Sequence, residues 1–127
     1  RHEVPLPLNL EMAATEEMLA IALKVKPHAV CLVPEKREEL TTEGGLNAAA
    51  LESSLTPYVK KLHSSGIRVS LFVNPDHDQL QASRRIGAQT VEIHTGTYCH
   101  LLGKARHEEL ARISESSMLA RALGLDV

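Results

Sequence analysis

Two acidic side chains near the ends of predicted strands are the residues of this chain best suited to chemistry. Glu11 stands one residue before the end of the first predicted strand, and Glu92 stands two residues before His94 in the fourth. Carboxylates that face one cavity can act as general acids and bases in a proton-transfer reaction. The alternative is that lysine or arginine pairs with each carboxylate in a structural ion pair, and the residues taken alone favour this second interpretation.

A long polar loop follows the apolar residues 31–33 and is the second feature that could take part in binding or catalysis. It spans residues 34–47 and carries charges of both signs, two adjacent hydroxyls and two glycines. Ordinary connections have about 4–6 residues, whereas longer ones in compact domains tend to be lids or binding loops. We therefore interpret residues 34–47 as a lid, with a solvated surface crossover as the alternative.

Charge and cysteine content argue against several functional classes. The chain of 127 residues has 14 basic and 16 acidic side chains, so no basic surface for nucleic acid is predicted. Its apolar runs fall short of the roughly 18 residues that a membrane span needs, and no signal-peptide pattern opens the chain. The two cysteines, Cys31 and Cys99, lack CxxC spacing, which favours reduced thiols over a disulfide or a metal site. We therefore expect one cytoplasmic domain over residues 1–127, without a membrane segment or a bound metal.

Hydrophobic periodicity predicts strands that alternate with helices. Strands are predicted over residues 6–12, 28–33, 67–73 and 90–94, and another strand opens at residue 125. Thr15 is the predicted cap of a first helix that Pro27 ends. The helix after the lid either kinks at Pro57 or restarts there with Thr56 as its cap. Two more helices are predicted over residues 76–86 and 105–123.

Two of the predicted helices have apolar stripes that we expect to face the core. In the first helix the stripe is formed by Met18, Ile21, Ala22 and Val25. In the last helix one side is formed by Leu110, Ile113, Ser117 and Ala120.

The repeated order of strand and helix predicts an α/β fold with a parallel sheet and right-handed crossovers. Periodicity alone does not separate an open doubly wound sheet from part of an eight-stranded (β/α)8 TIM barrel. Glu11, Glu92 and His94 lie near the C-terminal ends of their strands, where a barrel places its chemistry. This placement favours the barrel.

Six short motifs, in this order and at this spacing, resemble the pyridoxine 5′-phosphate synthase family, PdxJ. They are NLEMA at 9–13, TEEML at 15–19, CLVPEKR at 31–37, TTEGGL at 41–46, VSLF at 69–72 and EIHTG at 92–96. The resemblance covers the middle of that family's barrel, from about the third strand to the start of the seventh. It implies that the chain is a segment of a longer protein, and we expect no turnover from the segment alone.

The resemblance implies an enzyme without a cofactor that condenses 1-deoxy-D-xylulose 5-phosphate with 3-amino-2-oxopropyl phosphate. The products would be pyridoxine 5′-phosphate, phosphate and water, in vitamin B6 biosynthesis. Glu11 matches the family's catalytic acid or base, Glu92 a second carboxylate that orients the substrates, and Thr41 a lid hydroxyl that contacts the deoxyxylulose phosphate. The resemblance also implies a homo-oligomer, an octamer in that family, with small phosphorylated molecules as its other partners.

Two alternatives to the enzyme remain open from the sequence. One is an open five-stranded α/β binding module of the receiver type, complete in itself and without catalysis. The other is a barrel segment that serves assembly or scaffolding and has no activity of its own. An assay for pyridoxine phosphate formation separates the enzyme from the scaffold.

Overall fold

A computed structural model describes residues 5–41 and 43–127, which form parallel strands that alternate with helices. The strands are β1 (Asn9–Met12), β2 (Ala29–Leu32), β3 (Arg68–Val73) and β4 (Thr90–Ile93). The helices are α1 (Glu16–Val25), α2 (Glu52–Ser64), α3 (His77–Ile86), α4 (Gly96–His100) and α5 (Gly103–Ala122), and a 3-10 turn covers Arg37–Glu39. The four predicted strands and four predicted helices are confirmed, with ends that differ by a few residues. The short helix α4 was not predicted.

The four strands lie in the order in which they occur along the chain, and all of them are parallel. Asp126 forms a parallel bridge with Thr90, so the predicted further strand opens beside β4. Right-handed crossovers between successive neighbours place every helix on the same face of the sheet. A doubly wound or receiver-like sheet instead reverses its strand order and has helices on both faces. The fold is therefore part of a (β/α)8 barrel, and the open-module alternative is wrong.

The core lies between one face of the sheet and the helices. Fully buried aliphatic side chains alternate along the strands on this face, as expected for a sheet covered by helices: Val30, Leu32, Val69, Leu71, Val73 and Val91. Residues of opposite parity point to the other face, which none of the helices described above covers: Asn9, Glu11, Cys31, Ser70, Phe72 and Glu92. The residues that could take part in chemistry, Glu11 and Glu92 among them, therefore lie on the uncovered face.

The helix ends follow the predicted chemistry, but the prediction at Pro57 was only partly right. Thr15 accepts a hydrogen bond from the Met18 amide at 3.2 Å and caps α1 as predicted. Pro57 lies inside α2, which continues through it, so the predicted restart with Thr56 as cap is wrong. The Thr56 hydroxyl instead donates to the Glu52 carbonyl within the helix at 2.7 Å. Buried side chains on both sides of Pro57, Leu55 and Tyr58 among them, explain why packing keeps the helix continuous.

The predicted apolar stripes of α1 and α5 are partly wrong. Ile21 is 40% exposed, whereas Leu19 is buried, so α1 is rotated relative to the prediction. Leu110 is 50% exposed, whereas Glu109 and Ser116 are buried on the inner side of α5. The physical reason on α5 is a set of polar contacts, described below, that its inner side makes with the lid and with the end of β3.

Candidate active site

A cleft forms where Glu11 on β1 meets the lid, and we call it the Glu11 cleft. Its volume is about 340 Å³, and it is lined by Glu11, Val33, Pro34, Leu40, Gly44 and Phe72. Four of these residues are apolar, and Glu11 itself is exposed to solvent. Val33 and Pro34 directly follow β2, and Phe72 lies near the end of β3. The cleft is therefore at the C-terminal ends of the strands, where barrels carry their chemistry.

Glu92 is held on the same face by two polar side chains from other strands. Ser70 Oγ donates to Glu92 Oε1 at 2.8 Å, and Asn9 Nδ2 approaches the same oxygen at 3.5 Å. Asn9 and Glu92 belong to β1 and β4, which are three strand spacings, or about 14 Å, apart in a flat sheet. Their side chains are too short to bridge that distance, so the uncovered face must be concave. The structure therefore brings Glu11 and Glu92 to one hollow face, although Glu92 does not line the Glu11 cleft itself.

The Cys31 thiol lies on this face beside both carboxylates. Burial raises the pKa of the Cys31 thiol to about 12, a hydrogen bond with Ser70 acts in the opposite direction, and the negative charges of Glu92 and Glu11 raise it further. In the sheet, Glu11 pairs with Cys31 and Cys31 pairs with Ser70, whose hydroxyl bonds to Glu92, so both carboxylates lie near this thiol. Cys31 is protonated at neutral pH and contributes no charge to the site.

The lid is attached to the end of β3 through Gly45 and Leu46. The Gly45 amide donates to Asn74 Oδ1 at 3.1 Å, and the Leu46 amide donates to the Phe72 carbonyl at 2.8 Å. A methyl group at Gly45 would lie 2.6 Å from Asn74 Oδ1 and 2.7 Å from the Asn74 amide nitrogen. Only glycine therefore allows the lid to approach the strand this closely.

Thr41 lies in the lid, but its hydroxyl does not face Glu11. Thr41 Oγ1 donates to the Gly45 carbonyl at 3.2 Å, and Gly44 donates its amide to the Thr41 carbonyl at 3.2 Å. Thr41 lines two polar recesses of the lid instead of the Glu11 cleft. The structure thus brings Glu11 together with Gly44, and it places Thr41 three residues along the same tight turn.

His94 is a hydrogen-bonded residue at the mouth of the hollow. Its Nδ1 accepts a hydrogen bond from the Gly96 amide at 3.2 Å, so the proton of the neutral ring is on Nε2. The ring packs edge-to-face on Phe72, with centroids 5.1 Å apart. A methyl group on Gly44 would lie 3.5 Å from Nε2, so the ring also lies beside the lid.

A cluster around Arg112 was missed by reasoning from the sequence. Arg112 lies on α5 and forms ion pairs with Glu43 of the lid at 3.1 Å, with Glu109 at 3.1 Å, and with Asp76 at the start of α3. Spacing along a helix could have indicated the pair with Glu109, three residues away. Glu43 and Asp76 are separated from Arg112 by 69 and 36 residues in the sequence, so no local sequence pattern could have indicated those pairs.

Other kinds of site were also considered within residues 5–41 and 43–127. No group of three His, Cys, Asp or Glu side chains there is arranged to hold a metal ion. No helix of this part of the chain is both long enough and apolar enough to cross a bilayer.

Comparison with known proteins gives a consistent result along the whole chain. The family model for the pyridoxal phosphate biosynthesis protein PdxJ matches residues 1–127. The pyridoxine 5′-phosphate synthase of Zymomonas mobilis is 56% identical over 124 residues, which are 98% of this chain and 48% of that protein. The synthase of Rhodospirillum rubrum is 55% identical over 99% of this chain and 51% of that protein. The synthase of Akkermansia muciniphila is 49% identical over 100% of this chain and 52% of that protein. The chain thus spans about half the length of the curated relatives that it matches.

Proposed function

Because the chain belongs to the PdxJ family, we propose that it is the part of a pyridoxine 5′-phosphate synthase that carries two of the reacting carboxylates and the lid. The reaction is the condensation of 1-deoxy-D-xylulose 5-phosphate with 3-amino-2-oxopropyl phosphate, which gives pyridoxine 5′-phosphate, phosphate and water. The match of the family over residues 1–127 is the observation that carries this proposal.

Glu11 is the proposed general acid or base. Imine formation, enolisation, dehydration and ring closure each require a proton to be moved, and a positioned carboxylate can do this repeatedly. Glu11 supports this role because it lines a cleft of about 340 Å³ with mainly apolar walls. Closure of the lid would keep bulk water away from the reactive imine.

Glu92 is the proposed orienting carboxylate. Ser70 holds one of its oxygens at 2.8 Å, which leaves the second oxygen for a substrate hydroxyl or for a developing positive charge. Such a role requires a fixed carboxylate, and two other strands provide this, the neighbouring β3 through Ser70 and the more distant β1 through Asn9.

Thr41 is the proposed contact for the deoxyxylulose phosphate. Its hydroxyl now donates to the Gly45 carbonyl at 3.2 Å, a long bond that a phosphate oxygen could replace. Movement of the turn formed by the backbone bonds among Thr41, Gly44 and Gly45 would carry the hydroxyl toward the Glu11 cleft. We further propose that the working form is a cytoplasmic homo-oligomer. The free cysteines Cys31 and Cys99 are compatible with the cytoplasmic location.

The role of Glu11 is tested in a full-length synthase that carries this segment. Glu11→Gln keeps the shape of the side chain and should lower turnover by on the order of 10² or more, as expected for the loss of a general acid or base. Glu115→Gln is the matched control, because Glu115 is an exposed carboxylate of α5. Wild-type turnover in Glu11→Gln would remove Glu11 from the mechanism.

The 127-residue chain alone is the second arm of this test. Incubated with both substrates, it should form no pyridoxine 5′-phosphate, because further groups are needed for so many proton transfers. Product formation by the isolated chain would show that the residues described above are sufficient.

A further inference from the structure

Arg112 connects three separate segments around the lid. Its Nη1 atom lies 3.1 Å from Glu43 Oε1 and 3.1 Å from Glu109 Oε1, and its Nη2 atom bonds to Asp76. Glu43 is in the lid, Asp76 precedes α3, and Glu109 is one turn earlier on α5. We call these four residues the Arg112 cluster.

The charges of the Arg112 cluster make the arginine hard to replace. One positive charge faces three carboxylates, so the cluster has a formal charge of −2 when all four groups are ionised. Burial lowers the pKa of the Arg112 guanidinium, but its bonds to Asp76, Glu109 and Glu43 raise that pKa by more, so the group stays charged. Without the cation, three carboxylates would repel one another, and Glu109 is only 8% exposed and could not turn into solvent.

The position of Glu43 makes this cluster relevant to the lid. Glu43 directly precedes Gly44, which lines the Glu11 cleft, and both belong to the turn closed by the Thr41 and Gly45 backbone. The lid is attached to β3 at Gly45 and Leu46, but this attachment lies at one side of the turn. The pair between Arg112 and Glu43 is a second attachment of the turn, and it connects the turn to α5.

We propose that Arg112 is a positioning residue that latches the turn of the lid against α5, so that Gly44 remains in the wall of the Glu11 cleft. Release of Glu43 from Arg112 would free Thr41, Glu43 and Gly44 to move while Gly45 and Leu46 stay attached. The latch concerns the position of the lid. It rests on the proposed function only in that the Glu11 cleft, which the lid covers, is taken to be the active site.

Amide hydrogen exchange of a full-length synthase that carries this segment, without substrate, tests the latch. Arg112→Ala should speed exchange at the Thr41 and Gly44 amides by about tenfold or more, because the turn loses a charge-assisted pair and gains repulsion. The Leu46 amide, bonded to the Phe72 carbonyl, should exchange as in the wild type. Arg85→Ala is the matched control, since it removes another arginine–carboxylate pair, Arg85–Glu52 at 2.9 Å, in which no lid residue takes part.

A double variant separates an electrostatic latch from simple packing. Glu43→Gln removes one of the three carboxylates, so Glu43→Gln/Arg112→Ala should exchange more slowly at Gly44 than Arg112→Ala, after correction for intrinsic rates. The latch is disproved if Arg112→Ala leaves Thr41 and Gly44 unchanged, or if it speeds exchange equally in β3 and α5. It is also disproved if the double variant exchanges as fast as Arg112→Ala. Because no substrate is present, none of these results depends on the proposed reaction.

Discussion

Substitution of Gly45 by alanine should detach the lid from the sheet. The added methyl group would lie 2.6 Å from Asn74 Oδ1, 2.7 Å from the Asn74 amide nitrogen and 3.0 Å from the Val73 carbonyl carbon. Two of these atoms belong to the backbone at the end of β3, where Val73 pairs with Ile93. The sheet cannot yield there, so the lid must move away.

The magnitude follows from the contacts that are lost. Overpacking of a closed site costs about 1–3 kcal/mol. If the lid instead moves away, the Gly45 and Leu46 amides lose their bonds at 3.1 and 2.8 Å, and the buried Asn74 loses its donor. Each such bond contributes about 1 kcal/mol, and an unsatisfied buried group costs more. We expect Gly45→Ala to lower the free energy of unfolding by roughly 2–4 kcal/mol.

Urea denaturation compares this variant with Gly66→Ala. Gly66 has a φ of 75°, and a methyl group there would meet nothing within 4 Å, so this control isolates backbone strain of about 1 kcal/mol. Hydrogen exchange at the Leu46 amide should accelerate in Gly45→Ala and not in Gly66→Ala. If Gly45→Ala proves as stable as the wild type, the close approach of the lid to β3 is wrong.

Three further predictions concern the concave face and the lid. The Cys31 pKa is about 12 in the folded chain against an ordinary 9.0. The contribution of this thiol to the free energy of unfolding is therefore fully present below pH 9, and it falls as the pH rises from 9 toward 12. Urea denaturation should show that the wild type loses about 1.4 kcal/mol more than Cys31→Ala between pH 7 and pH 10. Ser70→Ala removes the 2.8 Å bond to Glu92 and should cost about 1.5–3 kcal/mol in the same assay at pH 7. In a full-length synthase, Thr41→Val should raise the KM for deoxyxylulose phosphate about tenfold with little change in kcat, whereas Thr41→Ser should not.

Local structure was predictable because it depends on short-range chemistry. Thr15 caps α1 since its hydroxyl accepts an amide from the first turn, and Gly87 ends α3 in the left-handed conformation, with φ of 93°. The strands could be located because their residues alternate or are continuously apolar. None of these signals contains the strand order, so the choice between barrel and open sheet depended on polar strand ends and on the resemblance.

The errors on α5 have a common physical origin. A stripe of Glu109, Arg112 and Ser116 faces inward, although each residue type is normally found at the surface. Ser116 donates to the Pro75 carbonyl at 2.8 Å, and Arg112 bonds to the lid and to Asp76. These partners are distant in sequence, so hydrophobic periodicity placed the inner side at Leu110 instead. Long-range polar contacts are what local patterns cannot show.

Glu92 on the concave face is half-buried and differs from the other buried or half-buried acids that form ion pairs, whereas Glu11 is exposed. Glu43, Asp76 and Glu109 are compensated by Arg112, as expected for structural ion pairs. Across residues 5–41 and 43–127, no salt bridge involves Glu11 or Glu92, and Glu92 is held by the neutral side chains Ser70 and Asn9. A fold that needed the half-buried Glu92 only for stability would be expected to pair it with a cation, so its arrangement favours chemistry over structural pairing.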